Sequence, residues 1–176
     1  EQKYPAAKYF GDLYAQNHDE AIKSTYENFT TLMRELKLLG IDSPNAPNCD
    51  ILRKNSDNII GDRSFGPDVE QIIALTTIAT QAILDEHGIP VMKHIPGHGP
   101  TTVDSHYYLP VVHNSLKELT ENDFKVFKEL SEKFGDKIWA MTAHVIYTEL
   151  DPNNPATLSK VVIDHIRKEI GFSGPI

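Results

Sequence analysis

Apolar and polar positions along this chain fall into blocks that predict helices separated by short strands. From about Asp19 to Leu39, the apolar residues Ala21, Ile22, Tyr26, Phe29, Leu32, Met33, Leu36 and Leu39 recur at three- and four-residue steps. That spacing predicts an amphipathic helix, and Gly40 is a natural stop. The aromatic and alanine patches of residues 1–17 predict a shorter helix before it. Ile41 to Ile51 holds two prolines and predicts a brief strand leading into a loop. Residues 52–68 are polar and irregular, centred on Gly61-Asp62-Arg63-Ser64-Phe65-Gly66-Pro67.

A second helix is predicted from about Val69 to Glu86. Its apolar positions run nearly all round, so it should be heavily buried. Gly88-Ile89-Pro90-Val91-Met92 then predicts a buried strand. Thr120 can cap a third helix, with Asp123 three residues later, and Phe124, Val126, Phe127, Leu130 and Phe134 form its apolar side. Lys137 to Val145 predicts a third strand. Thr157 to Ile170 predicts a fourth helix, with Leu158, Val161, Val162, Ile166 and Ile170 inward and Gly171 as its stop. Phe172 to Ile176 reads as the approach to another strand. The strand starts fall near 41, 89 and 137, with no sequence repeat behind that spacing. Helices between successive short strands imply parallel pairing by right-handed crossovers. The fold class is therefore α/β: a doubly wound sheet or part of a (β/α)8 barrel. Three strands are too few to close such a barrel.

Composition narrows the function classes. The chain has 176 residues, 25 acidic against 17 basic, and a net charge of −8, which argues against a nucleic-acid surface. No apolar run approaches the length needed to span a bilayer. Cys49 is the only cysteine, so an intrachain disulfide and a cysteine-based zinc site are excluded. A reducing compartment is compatible with this. The first ten residues lack the apolar core of a secretory signal.

Candidate chemistry concentrates between Lys93 and Pro110, KHIPGHGPTTVDSHYYLP, where the second strand ends. In alternating strand–helix proteins, that end of the sheet carries the site. His106 can exchange a proton near neutrality. Asp104, two residues earlier, faces the same side of an extended segment and can fix its tautomer. Two other readings bear on the cluster. His94, His98 and His106 superficially resemble metal ligands, although Pro96 and Gly97 interrupt any helix that would align the first two. Pro96, Gly97, Gly99 and Pro100 can instead shape a tight turn in which His98 satisfies backbone groups, the role favoured for that residue. Arg63 sits in a glycine-flanked loop, either paired with Asp62 or presenting a bidentate fork to a ligand. Lys93 at a strand end is either ligand-facing or paired with an acid. His144 is either a core histidine or a wall of the same pocket.

The motif Lys93-His94-Ile95-Pro96-Gly97-His98-Gly99, with Asp104-Ser105-His106 and Leu109-Pro110, resembles the signature of family 3 glycoside hydrolases. It is most similar to the bacterial β-N-acetylhexosaminidases of peptidoglycan recycling. Ile60–Gly66, Ala143–Tyr147, and Asn45-Ala46-Pro47 with Asp50 resemble further motifs of that group. The resemblance implies a partial (β/α)8 TIM-type barrel, a single incomplete N-terminal catalytic domain over residues 1–176. It implies a cytoplasmic enzyme with no cofactor or metal, acting with retention on terminal β-N-acetylglucosamine of peptidoglycan or chitin fragments. His106 matches the acid/base and Asp104 its orienting partner; Arg63, Lys93 and His94 match sugar-binding positions. The family's nucleophilic aspartate is expected just after a segment like Gly171–Ile176, and its Asp-Gln-Glu-Gly-Gly-Arg motif before residue 1. On that expectation the chain supplies the acid/base without the nucleophile, and a complementary chain could carry the remainder. The alternative is a non-catalytic sugar-binding or interaction module.

Overall fold

The computed structural model describes residues 4–53, 60–101 and 107–176. Two helices lead the chain, α1 (Ala7–Tyr14) and α2 (His18–Leu38). The side chain of Asn17 accepts the Glu20 N–H, and Asp19 and Glu20 sit in the first turn, where acids favour a helix start. α2 packs on α3 (Val69–Asp85), which Asp68 caps through the Gln71 N–H. Both helices match their predicted spans closely, because α2 has an apolar stripe and α3 a nearly all-round apolar surface, each between a cap and a stop.

The central sheet is parallel. β1 (Val91–Ile95) pairs with β3 (Trp139–Thr142), with Val91 opposite Trp139, Met92 opposite Ala140 and Lys93 opposite Met141. The register shifts between Lys93 and Ile95. The strand predicted from Ile41 is not a regular strand. Residues 42–49 run beside β1 and bond to it through Ile89 N–H to Asp42 O, Val91 N–H to Ala46 O, Lys93 N–H to Pro47 O and Cys49 N–H to Lys93 O. Only Asn48 forms a bridge with Lys93. Pro44 and Pro47 lack the N–H groups a full ladder needs, which confines regular pairing to the end of the segment. On the other side of the sheet, Ala140 N–H bonds Pro175 O, so residues 172–176 approach β3 as expected.

The predicted strand from Lys137 to Val145 is divided. β3 stops at Thr142, and β4 (Ile146–Tyr147) leaves to pair in parallel with β2 (Val111–Val112) as a second small sheet. The helical start predicted at Thr120 also moves. α4 (Leu116–Glu121) begins at Ser115, whose hydroxyl accepts the Glu118 N–H, and α5 (Asp123–Phe134) follows after Asn122. Thr120 lies inside α4, exposed, because Ser115 offers the first usable cap. The last helix is not continuous over its predicted span. A 3-10 turn (Ala156–Leu158) precedes α6 (Lys160–His165), which runs into a π-helical turn (Ile166–Ile170). Ser159 caps α6 afresh through the Val162 N–H, which resets the helical phase. Leu158 and Val161, predicted inward, are therefore 76% and 53% exposed, while Val162, Ile166 and Ile170 are buried.

One continuous core joins Met33, Ile72, Leu75, Ile83, Met92, Ile95, Leu119, Phe127, Leu130 and Phe172. Met92 and Ala140 turn toward the helices. Over the other side of the sheet lies a cleft of about 600 Å³ lined by Asn45, Val91, Trp139, Met141 and Ile176. Trp139 is 41% exposed there. The cap assignment gives a direct test. Ser115→Ala should cost about 1 kcal/mol in urea unfolding, whereas Thr120→Ala, at an exposed site inside α4, should cost less than about 0.5 kcal/mol.

Candidate active site

A buried carboxylate organises the site. Pro47 leads into an extended Asn48-Cys49-Asp50, which places Asn48 and Asp50 on one side of the chain. Asn48 Nδ2 donates to Asp50 Oδ2 at 2.9 Å, and Asn48 Oδ1 accepts the Asp50 N–H at 3.0 Å. Asp50 Oδ2 also meets His94 Nδ1 at 2.7 Å. Its other oxygen accepts the backbone N–H of His94 at 3.2 Å and of His98 at 2.7 Å. Asp50 is 1% exposed. Burial pushes its carboxyl toward protonation, but the bond and charge of His94 and the His98 N–H outweigh that and hold it below the usual carboxylate range. An ionised Asp50 makes His94 Nδ1 the protonated nitrogen. Nε2 is then left for a ligand.

The turn after β1 is built by close approaches. A β-carbon on Gly99 would stand 2.3 Å from Ile51 O, so only glycine lets these segments touch. Gly97 has φ +138°, also reserved for glycine. The Lys93–His94 and Ile95–Pro96 peptide bonds in this stretch are cis. His98 is buried in the turn, with ring Nδ1 2.9 Å from the Thr101 hydroxyl, which itself donates to His98 O. Burial lowers the His98 imidazole, which favours its neutral form. Its ring lies 5.5 Å from that of His94.

Lys93 is half-buried at the end of the sheet. Burial lowers its ammonium pKa, and the neighbouring Arg63 charge lowers it further against the pull of Asp50. Arg63 ends a 3-10 turn (Gly61–Arg63) on the surface. Ser64 anchors that turn by donating to Asp50 O at 2.7 Å, and its oxygen accepts the Gly66 N–H. Arg63, Lys93 and His94 therefore gather around one residue: Asp50 holds His94 through its side chain and the Arg63 turn through its backbone. The other two candidates, Asp104 and His106, lie outside the described residues. His144 is exposed, with Nδ1 2.6 Å from the Thr157 hydroxyl, and is not a core histidine.

Sequence reasoning passed over the organising role of Asp50, although its motif was noticed. The available signal was Asn48-x-Asp50 at two-residue spacing ahead of a lysine–histidine strand end. It also missed Ser64, Thr101 and Tyr147, whose hydroxyl donates to Gly97 O at 2.6 Å. Ser64 and Tyr147 lie in the family-like motifs Ile60–Gly66 and Ala143–Tyr147, but their hydroxyls act through tertiary contacts that those motifs do not spell out, and that of Thr101 acts within the turn itself.

Parallel strands, outer helices and a cation-rich cluster on a buried carboxylate at the strand ends define an α/β protein with a polar cluster at one end of its sheet. Residues 3–176 match the sequence model of the glycosyl hydrolase family 3 N terminal domain, and the chain belongs to that family. A beta-hexosaminidase from Tolumonas auensis is 38% identical over 143 residues, covering 81% of this chain and 42% of that protein. One from Methylobacillus flagellatus is 32% identical over 176 residues, covering 99% and 49%. The crystal structure of NagZ from Neisseria gonorrhoeae in complex with N-trifluoroacetyl-D-glucosamine superposes with a TM-score of 0.91 at 30% identity, over 98% of this chain and 50% of that one. The expected partial (β/α)8 architecture is thus the fold observed. The chain spans about half the length of the curated relatives it matches.

Replacing Asp50 should be costly. Asp50→Ala leaves the His94 ring and two backbone N–H groups without their acceptor and should cost about 3–5 kcal/mol in urea unfolding. The pH dependence has a defined sign. The folded carboxyl titrates below its ordinary 3.8, so its stabilisation is complete above that value and is lost as pH falls through the folded value. Asp50→Asn should flatten that acid limb in pH-dependent unfolding measurements.

Proposed function

We propose that this chain is part of the catalytic barrel of a β-N-acetylhexosaminidase, which removes terminal β-N-acetylglucosamine from peptidoglycan or chitin fragments with retention. The observation that carries this reading is the convergence of Lys93, His94 and the Arg63 turn on Asp50, within a family whose relatives are beta-hexosaminidases. Arg63, Lys93 and His94 hold the sugar. Cationic and imidazole groups suit that task because charge-assisted bonds to hydroxyl and carbonyl oxygens are strong and directional. That a superposed NagZ structure is a complex with N-trifluoroacetyl-D-glucosamine supports an amino-sugar ligand for this fold.

In this reading His106 is the general acid that protonates the leaving oxygen, and Asp104 orients its ring. Retention requires a nucleophile on the opposite face of the sugar. We assign that group, with the remaining strands, to sequence outside residues 1–176, in line with relatives about twice as long. The rest of the barrel, on the same chain or a complementary one, would cover the cleft beside Trp139 and Met141 and continue the sheet at residues 42–49 and 172–176. A cytoplasmic role in peptidoglycan recycling belongs to the same reading.

Calorimetric titration with N-acetylglucosamine tests the binding assignment. Lys93→Ala and His94→Ala should each weaken binding by about 10- to 100-fold, since a hydrogen bond to a charged group contributes about 1.5–3 kcal/mol. Unchanged affinity in both variants would overturn it. On an aryl N-acetylglucosaminide, the chain alone should not turn over at the rate of full-length hexosaminidases. Turnover at that rate, lost in His106→Ala, would place the nucleophile within residues 1–176.

A further inference from the structure

A second buried carboxylate lies beneath the turn that carries His94 and His98. Asp123 opens α5 and is 1% exposed. Its Oδ2 accepts from the Arg53 guanidinium. Its Oδ1 is buried with no hydrogen-bond donor among the described residues. Arg53 also reaches Glu118 of α4 at 3.3 Å, and Asn114 donates to the same Glu118 oxygen at 2.7 Å.

Asp123 stands directly under Gly97. A β-carbon on Gly97 would lie 2.8 Å from Asp123 Cβ and 3.5 Å from Oδ1. The other groups of Gly97 are engaged as well: its N–H bonds His94 O at 2.7 Å, and its carbonyl accepts the Tyr147 hydroxyl at 2.6 Å. The Tyr147 ring packs edge-on at 6.1 Å against Phe124, the residue after Asp123. Asp123 therefore borders Gly97 directly, and Phe124 borders the Tyr147 ring whose hydroxyl holds the Gly97 carbonyl. Through Arg53, Asp123 also reaches the segment three residues beyond Asp50.

We propose that Asp123, paired with Arg53, is a positioning residue that sets the place of Gly97 and, through it, the presentation of Lys93 and His94. Its consequence for sugar binding rests on the function proposed above; its consequence for the turn does not. A buried carboxylate with one oxygen unmatched is a poor way to fill space, because an apolar side chain of similar size would avoid the desolvation cost. Its value lies in joining three elements that packing alone would leave free to slide: the Asp50 segment, the turn after β1 and the start of α5.

The titration of Asp123 offers a readout. Burial raises its carboxyl to about 6, with Arg53 pulling it down and Asp50 pushing it up. Arg53, Glu118, Asp50 and Tyr147 are the charged or titratable groups that bear on it among the described residues. The experiment follows the Asp123 carboxyl carbon and the Gly97 and His98 amides of the 176-residue chain by NMR from acid to neutral pH. The carboxyl and both amides should share a midpoint near 6. Asp123→Asn should remove that midpoint from the amides and shift the His94 ring signals. The same variant should weaken N-acetylglucosamine binding about tenfold. An Asp123 titration with no matching change at Gly97 would overturn the proposal. So would an Asn variant with wild-type His94 signals and wild-type affinity. A wild-type chain that binds no sugar would sink the functional reading alone, and the shared midpoint would still decide the positioning role. Should Asp123→Asn fail to fold, the wild-type titration decides it without the variant.

Discussion

The Asp50 carboxylate is the interaction on which the rest of the site depends. It accepts from a side-chain amide, an imidazole and two backbone N–H groups, and these come from two separate stretches of chain. Its backbone carbonyl takes a further bond from Ser64. A buried anion is tolerated only when its lone pairs are met by donors. Here the donors are the turn itself, so satisfying the charge and shaping the site are one event. The same bond defines which nitrogen of His94 faces outward.

The sheet supplies the frame. β1 lies between residues 42–49 and β3, and its bonds on both sides place Lys93 and His94 where the strand gives way to the turn. Prolines shorten the first neighbour, and the register shift after Lys93 lets the strand end turn toward Asp50. Met92 and Ile95 are fully buried. The strand is thus anchored on its apolar positions and free to expose its polar ones, so a cationic side chain can be held half-buried at the sheet end without collapsing into the core.

Legibility varied with the range of the interaction. α2 and α3 were readable because cap, apolar positions and stop all lie within one segment. The broken last helix was not. Leu158 and Val161 fit the period of the predicted helix, yet Ser159 restarts the turn between the apolar positions. Nor was the division of the third strand, because β4 finds its partner in β2, far away in sequence. At the site, Arg63, Lys93 and His94 were marked by residue type and motif. Asp50 was read only as part of a motif, and Asp123 only as the third residue of a weak helix start.

By itself, the sequence determined the helix–strand rhythm, the family, and which cations and imidazoles stand as candidates for the chemistry. Each of these is written in local spacing or in ordered motifs. Tertiary structure alone decided which acids are buried and what they hold. An aspartate in an extended segment looks the same whether it faces water or four donors. The difference arises only when strands from distant parts of the chain exclude solvent around it and bring the donors within reach.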